Sequence, residues 1–210
     1  MLTLYIIVEG IDCSGKSSVC DALESWFKEE MIQYKRLKEP SLGACKDILE
    51  MIKGLQKSSP EYFEMTKDYL FSMCFTIDRL LLRPTVDELN DKGVVVLSDR
   101  SFLSTMAYQA GVGDEFLDHL TLYVAEPDAF IFLDVSPETS INRLEQRKGS
   151  PDYFESLENL SVTRRNYFNA IEMVPTYTHI VNAEQPLNVV VEKCKEIIQA
   201  YIEVNKKLEE

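Results

Sequence analysis

The chain predicts an α/β fold built on a five-stranded parallel sheet, on three observations. Five short strand candidates, most of them apolar runs, are spread through 210 residues, and helical patterns fill the intervals between them. Such alternation implies right-handed crossovers between parallel strands. One run, Val94-Val95-Val96-Leu97, is apolar at every position, as strands buried on both faces are. Polar residues follow several of the runs, on the side where open parallel sheets gather their ligands.

Leu4-Tyr5-Ile6-Ile7-Val8 is the first strand, and Glu9-Gly10-Ile11-Asp12-Cys13-Ser14-Gly15-Lys16-Ser17-Ser18 follows it directly. This stretch has the pattern GxxxxGKS. Gly10 and Gly15 allow a tight turn whose N–H groups approach phosphate oxygens, Lys16 adds a mobile charge, and Ser17 offers a hydroxyl to Mg²⁺. The helical pattern from Ser18 to Phe27 puts the loop at a helix N-terminus, which favours anions. A nucleotide phosphate is the expected guest.

Tyr34 to Leu37 is a weak second strand, ended by Lys38-Glu39-Pro40-Ser41. A helical run from Ser41 to Lys57 closes at Ser58-Ser59-Pro60, and a long one covers about Glu61 to Asn90, where Pro84 predicts a kink or a division. The turn Asp91-Lys92-Gly93 leads into the third strand, which ends in Ser98-Asp99-Arg100-Ser101. Helical stretches at Phe102–Ala110 and Asp114–Val124 precede the fourth strand, Phe130 to Leu133, and Asp134. Ser136-Pro137-Glu138 is a helix start. That helix carries Arg143 and Arg147 and breaks at Lys148-Gly149-Ser150-Pro151. A helix over Glu155–Val174, a fifth strand at His179–Val181 and a closing helix over Leu187–Val204 complete the chain.

Length makes one domain over 1–210 the expectation. Hydrophobic residues at 45% and charged residues at 27% argue against disorder. A net charge of −13 disfavours a nucleic-acid or anionic-membrane surface, so a bound phosphate needs a local cluster of cations. The five cysteines are scattered without a CxxC pair, which reads as reduced thiols and no zinc site. Neither a signal-peptide pattern nor a bilayer-length apolar run is visible, and the expected location is cytoplasmic.

Three further constellations carry chemistry. Asp99 at a strand end could orient Mg²⁺ water or a basic side chain, and Arg100 could grip a phosphate bidentately. Arg143 and Arg147, four apart on one helical face, form a basic patch beside a movable segment. Phe75 and Arg79, also four apart, set an aromatic plate beside a planar donor, a pairing suited to a base.

Together these motifs resemble the thymidylate kinase family of P-loop nucleoside monophosphate kinases. Val8-Glu9-Gly10-Ile11-Asp12-x-x-Gly15-Lys16-Ser17 looks like the family's phosphate loop, Lys38-Glu39-Pro40 like its Arg-Glu-Pro segment, and Phe75-x-x-x-Arg79 like its base-binding helix. The most specific match is Asp99-Arg100-Ser101-Phe102-Leu103-Ser104-Thr105-Met106-Ala107-Tyr108-Gln109, similar to DRxxxSxxAYQ. Leu133-Asp134-Val135-Ser136-Pro137-Glu138 and Val181-Asn182-Ala183 match as well.

The resemblance implies a three-layer α/β/α P-loop kinase with a short mobile lid at about 143–155, transferring phosphoryl from ATP to dTMP with Mg²⁺. It implies donor binding by Gly10, Ile11, Asp12, Cys13, Ser14, Gly15, Lys16, Ser17, Arg143 and Asn182, with Ser17 and Asp99 at the metal. Acceptor binding would fall to Asp12, Glu39, Phe75, Arg79, Arg100, Ser104, Thr105, Tyr108 and Gln109. Phe75 would stack on thymine, Tyr108 would crowd the 2′ position, and Asp12, Lys16, Arg100 and Arg147 would serve the transfer itself. It also implies a homodimer through helices away from the site.

Departures from the family pattern redistribute charge. The lid segment reads Asp152-Tyr153-Phe154-Glu155 where an arginine is common at 153, and Cys13 stands where some members place another, which leaves Arg147 or Lys148 as the lid cation. Lys38 and Ser41 replace the arginine and glycine of Arg-Glu-Pro-Gly, so a point charge stands where a fork is usual. Two alternatives follow: a kinase of another deoxynucleoside monophosphate or of a deoxynucleoside, and a nucleotide-binding switch. No guanine-reading Asn-Lys-x-Asp segment supports the switch.

Overall fold

The computed structural model describes residues 3–41, 43–146 and 156–208, apart from the side chains at 44 and 208. Five strands, β1 (Tyr5–Glu9), β2 (Tyr34–Lys38), β3 (Val95–Asp99), β4 (Ala129–Asp134) and β5 (Thr178–Asn182), form one parallel sheet in the order β2-β3-β1-β4-β5. The three central strands, β3, β1 and β4, are almost wholly buried, and the edge strands are not. This distribution matches the apolar runs at the centre and the weaker, mixed runs at the edges.

Each strand extends past its apolar run to a polar last residue: Glu9, Lys38, Asp99, Asp134 and Asn182. Parallel pairing uses backbone groups, so the ladder continues for as long as a neighbour does. Val8 and Lys38 both pair with Asp99, and Asp134 with Asn182, so these polar ends converge on one edge of the sheet.

The helices are α1 (Lys16–Glu29), α2 (Gly43–Ser58), α3 (Pro60–Asp91), α4 (Phe102–Tyr108), α5 (Asp114–Thr121), α6 (Pro137–Gln146), α7 (Leu157–Met173) and α8 (Leu187–Leu208), with a 3₁₀ turn at Ala110–Val112. One group, α1 with α8, packs on one face of the sheet, and α3, α4 and α7 cover the other, giving three layers. Burial of Leu23 and Phe27 from α1, Leu103 from α4, Tyr167 from α7 and Ile198 from α8 against the strands joins the layers into one core.

The chain passes through Pro84 without dividing α3. On one side of the proline Arg83 donates to the Tyr123 and Val124 carbonyls (2.9 and 3.1 Å), and on the other Val86 is 3% exposed, so both flanks are anchored. A single residue, Ser59, separates α2 from α3, and the two helices pack as a hairpin over Cys45, Ile52, Phe63, Phe71 and Cys74. Past that cluster, α3 is tied to the chain after β2 by Ser41 N, which donates to Asp78 Oδ2 at 2.8 Å. No helix among the described residues is long and apolar enough to cross a membrane.

Candidate active site

The phosphate loop wraps around its own lysine. Gly10 has φ 147°, and a Cβ there would lie 2.7 Å from both the Leu133 carbonyl and Ser14 Oγ, so only glycine lets the loop close against β4. Gly15, at φ 103°, caps α1, and Lys16 and Ser17 open the first turn of that helix, earlier than the periodicity indicated. The Lys16 ammonium donates to the Gly10 and Ile11 carbonyls, each at 2.8 Å. Burial, aided by Arg100, brings Lys16 down to about 8 against the opposing pull of Asp12, Asp99 and Glu9. Ser17 Oγ donates to Asp99 Oδ2 at 3.0 Å, and Arg36 Nη2 lies 3.5 Å from the same oxygen.

A cavity of about 640 Å³ opens over this loop, lined by Asp12 through Val19 and by Lys38, Arg100, Arg143, Ala183, Gln185, Leu187 and Val190. Arg143 bridges two of its walls. Its Nη1 donates to the Cys13 and Ser14 carbonyls (3.3 and 3.2 Å) and its Nη2 to Ala183 O (2.8 Å), so α6 fastens the loop to the turn after β5. Asn182 does not line this cavity; its side chain accepts from Glu184 N at 2.9 Å within the same turn. Gly10 and Ile11 lie beneath the lining, and Ile11 is 1% exposed.

A second cavity, of about 190 Å³, is lined by Asp12, Glu39, Pro40, Phe75, Arg79, Arg100, Ser104, Thr105, Tyr108 and Gln109. All nine residues assigned to the acceptor by resemblance therefore meet in one place. Two ion pairs frame the cavity. Arg79 Nε and Nη2 grip Glu39 in a fork (2.8 and 2.6 Å), and the same guanidinium reaches Thr105 Oγ1 (2.8 Å) and Ser101 O (2.7 Å). Burial raises the Glu39 carboxyl and Arg79 counteracts part of that rise. In the other pair, Arg100 Nη2 donates to Asp12 Oδ1, Tyr108 OH donates to Asp12 Oδ2 at 2.9 Å, and the guanidinium lies 5.3 Å from the Tyr108 ring centroid. Burial works against the Asp12 charge, yet Arg100 and Lys16 outweigh it and hold this carboxyl below its ordinary range.

Arg100 has φ 79°, a left-handed conformation unfavourable for a residue with a side chain, and it lies between the two cavities. Asp12 is likewise common to both. Three residues with parts in this geometry had no role assigned from sequence. Tyr167 is buried under the loop, Arg36 approaches Asp99, and Glu9, with 0% exposure, holds the hydroxyls of Ser101, Ser104 and Tyr167, of which Ser104 lines the acceptor cavity. A charged residue ending an apolar strand was the available signal for Glu9; Tyr167 and Arg36 carried none. Of the lid expected at about 143–155, residues 143–146 end α6, and Arg147, Lys148 and the remainder through 155 lie outside the described residues.

The comparisons with known proteins agree with this geometry. The family model described as thymidylate kinase matches residues 8–194. A probable thymidylate kinase of Methanobrevibacter smithii is 31% identical over 200 residues, covering 95% of this chain and 96% of that protein. Probable thymidylate kinases of Archaeoglobus fulgidus and Methanothermobacter thermautotrophicus are each 30% identical, the first over 97% of this chain and 98% of its own length, the second over 93% and 94%. The chain is a kinase and belongs to the thymidylate kinase family.

Proposed function

We propose that this kinase transfers the γ-phosphoryl group of ATP to dTMP, giving dTDP and ADP, within a single domain over 1–210. The observation that carries the reading is the meeting of two cavities at Asp12 and Arg100, one over the phosphate loop and one between Phe75 and Gln109. In the transfer, an acceptor phosphate oxygen bonds to the γ-phosphorus as the bond from that phosphorus to the β–γ bridging oxygen breaks. A monophosphate oxygen is already anionic and needs no base. The acceptor cavity is suited to such a nucleophile, because its two carboxylates, Asp12 and Glu39, are each engaged by a guanidinium.

Catalysis then rests on positioning and charge. Loop amides and Lys16 would hold the donor phosphates, Arg143 would present its planar face to the adenine, and Arg100 would grip the acceptor phosphate. Phe75 would stack on the base, with Arg79, Thr105 and Gln109 at its edge, and Tyr108 would crowd the 2′ position. Arg147 would join from the lid. The Ser17 hydroxyl beside the Asp99 carboxylate suits a hard cation such as Mg²⁺, which these two residues would hold. When bound, the ion would offset charge on the transferring phosphates.

Steady-state assays with ATP and Mg²⁺ against dTMP, dUMP, dCMP, UMP and thymidine test the assignment. The highest kcat/KM is expected for dTMP; preference for thymidine would move the acceptor to a nucleoside. Titration calorimetry should find separate ATP and monophosphate sites, and a single nucleotide site would overturn the assignment of the two cavities to donor and acceptor. We also propose a homodimer through α3. Tyr62, Met65, Tyr69, Met73, Ile77 and Leu80 form an exposed stripe that points away from Phe75 and Arg79, and Met65 is 77% exposed. Light scattering should give twice the chain mass, falling to one mass in Met65→Glu; a monomeric parent protein would overturn this.

A further inference from the structure

Glu9 ends β1 immediately before the phosphate loop and is 0% exposed. Among the described residues its partners are not cations but hydroxyls and one amide. Oε1 accepts from Ser101 Oγ (2.7 Å) and from Ser104 N (3.3 Å). Oε2 accepts from Ser104 Oγ (2.7 Å) and Tyr167 OH (3.0 Å). A buried carboxylate is costly unless its oxygens are satisfied, and these four donors fill both.

The direction of these bonds has a consequence at the junction of the cavities. A serine hydroxyl has one proton. The Ser104 proton goes to Glu9 Oε2 or to Tyr167 OH, 2.8 Å away, in either case on the side away from Arg100, so a Ser104 lone pair accepts from Arg100 Nη1 at 3.3 Å. Arg100 Nη2 is committed to Asp12. The guanidinium plane is thus fixed from two sides, Asp12 directly and Glu9 by way of Ser104, although the backbone at Arg100 adopts an unfavourable φ.

Resting on the reading of Arg100 as the acceptor-phosphate grip, we propose that Glu9 is a positioning residue that sets Arg100 through the Ser104 hydroxyl. In Glu9→Gln an amide N–H replaces one acceptor oxygen with nearly the same shape. An amide at the Oε2 position meets the Ser104 and Tyr167 hydroxyls as a donor, so Ser104 Oγ accepts from the amide and turns its proton to Tyr167 OH, 2.8 Å away, and its lone pairs no longer face Arg100 as in the parent protein. An amide at the Oε1 position conflicts with Ser101 Oγ–H and Ser104 N–H, shifting the same serine by its backbone.

A double-mutant cycle tests this, with kcat and both KM values measured for the parent enzyme, Glu9→Gln, Ser104→Ala and the double variant. The acceptor is whichever substrate the parent enzyme uses best, so failure of the dTMP assignment leaves the coupling result intact. Glu9→Gln should lower kcat/KM for the acceptor about ten- to hundredfold and change the ATP KM by less than about threefold. In the Ser104→Ala background the same substitution should cost less than about threefold, while Ser104→Thr, which keeps a hydroxyl, should restore the full effect of Glu9→Gln. Penalties that multiply in the double variant, or an ATP KM that rises as much as the acceptor KM, would overturn the proposal and leave Glu9 a prop for the loop. If Glu9→Gln does not fold, Glu9→Asp, which withdraws the carboxylate by one methylene, enters the same cycle with the same two outcomes.

Discussion

The donor cavity and the acceptor cavity share Asp12 and Arg100 but are built by different means. Most of the donor wall is one contiguous stretch, Asp12 to Val19, whose chemistry is backbone amides, a helix N-terminus and Lys16. The acceptor wall is collected from the phosphate loop, the end of β2, α3 and the segment from Arg100 to Gln109. Its polar groups are held as charge pairs across long chain separations, Arg79 with Glu39 and Arg100 with Asp12. Loss of Lys16 should therefore affect chemistry with little effect on folding, whereas breaking the buried Arg79–Glu39 pair leaves a charge without its partner and should affect both.

The largest expected effect is on the donor side. Lys16→Ala should lower kcat by about 10²–10³ while the melting temperature stays within a few degrees, since one preorganised cation facing the transferring charge is lost. A large loss of melting temperature in this variant would break the contrast. Arg79→Ala should raise the acceptor KM about ten- to hundredfold and also destabilise the fold by about 3–5 kcal/mol, because the Glu39 side chain, 8% exposed, is left without its partner. Denaturant unfolding beside acceptor kinetics would separate the two effects; an unchanged KM would return Arg79 to a purely structural role.

The pH response sharpens the donor side further. The folded Lys16 ammonium lies at about 8, below its ordinary value of 10.5, so it is charged below pH 8 and loses its proton above. Donor phosphates need the charged form. ATP affinity should thus be level up to about pH 7 and weaken towards tenfold per pH unit above 8, with proton uptake on binding seen by calorimetry in buffers of different ionisation heat. Between 8 and 10.5 the unfolded chain holds a proton the folded chain has lost, so this group's contribution to stability rises with pH there. Affinity that rises across pH 8 would contradict the assignment. Tyr108→Phe is the mildest test: it removes the hydroxyl that donates to Asp12 at 2.9 Å and keeps the ring, and a loss of about three- to tenfold in kcat/KM is expected.

How far the residues could be read in advance follows the same division. The phosphate loop was legible because its function lies in local spacing: two glycines, a lysine and a serine placed by backbone geometry alone. The strands were legible from continuous apolar runs, although each gained a polar final residue, since ladder bonding is indifferent to the side chain. On α3 the apolar periodicity was visible, but it did not say which stripe faces the core. Tyr62, Met65, Tyr69 and Met73 are exposed, while Phe71 and Cys74 pack on α2 and Arg79 is buried against Glu39. Asn182 was placed with the donor from a motif match, but it satisfies a backbone N–H in its own turn.

From its sequence alone, then, this protein has an α/β topology, a phosphate loop and a family, because each depends on periodicity or on residues close together in the chain. Tertiary structure alone decided that Asp12 and Arg100 join two cavities, that Arg79 is bound to Glu39, and that Glu9 is silently shared among Ser101, Ser104 and Tyr167. Such pairings span up to 158 residues, as between Glu9 and Tyr167, and no local pattern encodes them. They arise because folding buries polar groups that must find partners wherever the packed sheet and helices bring them.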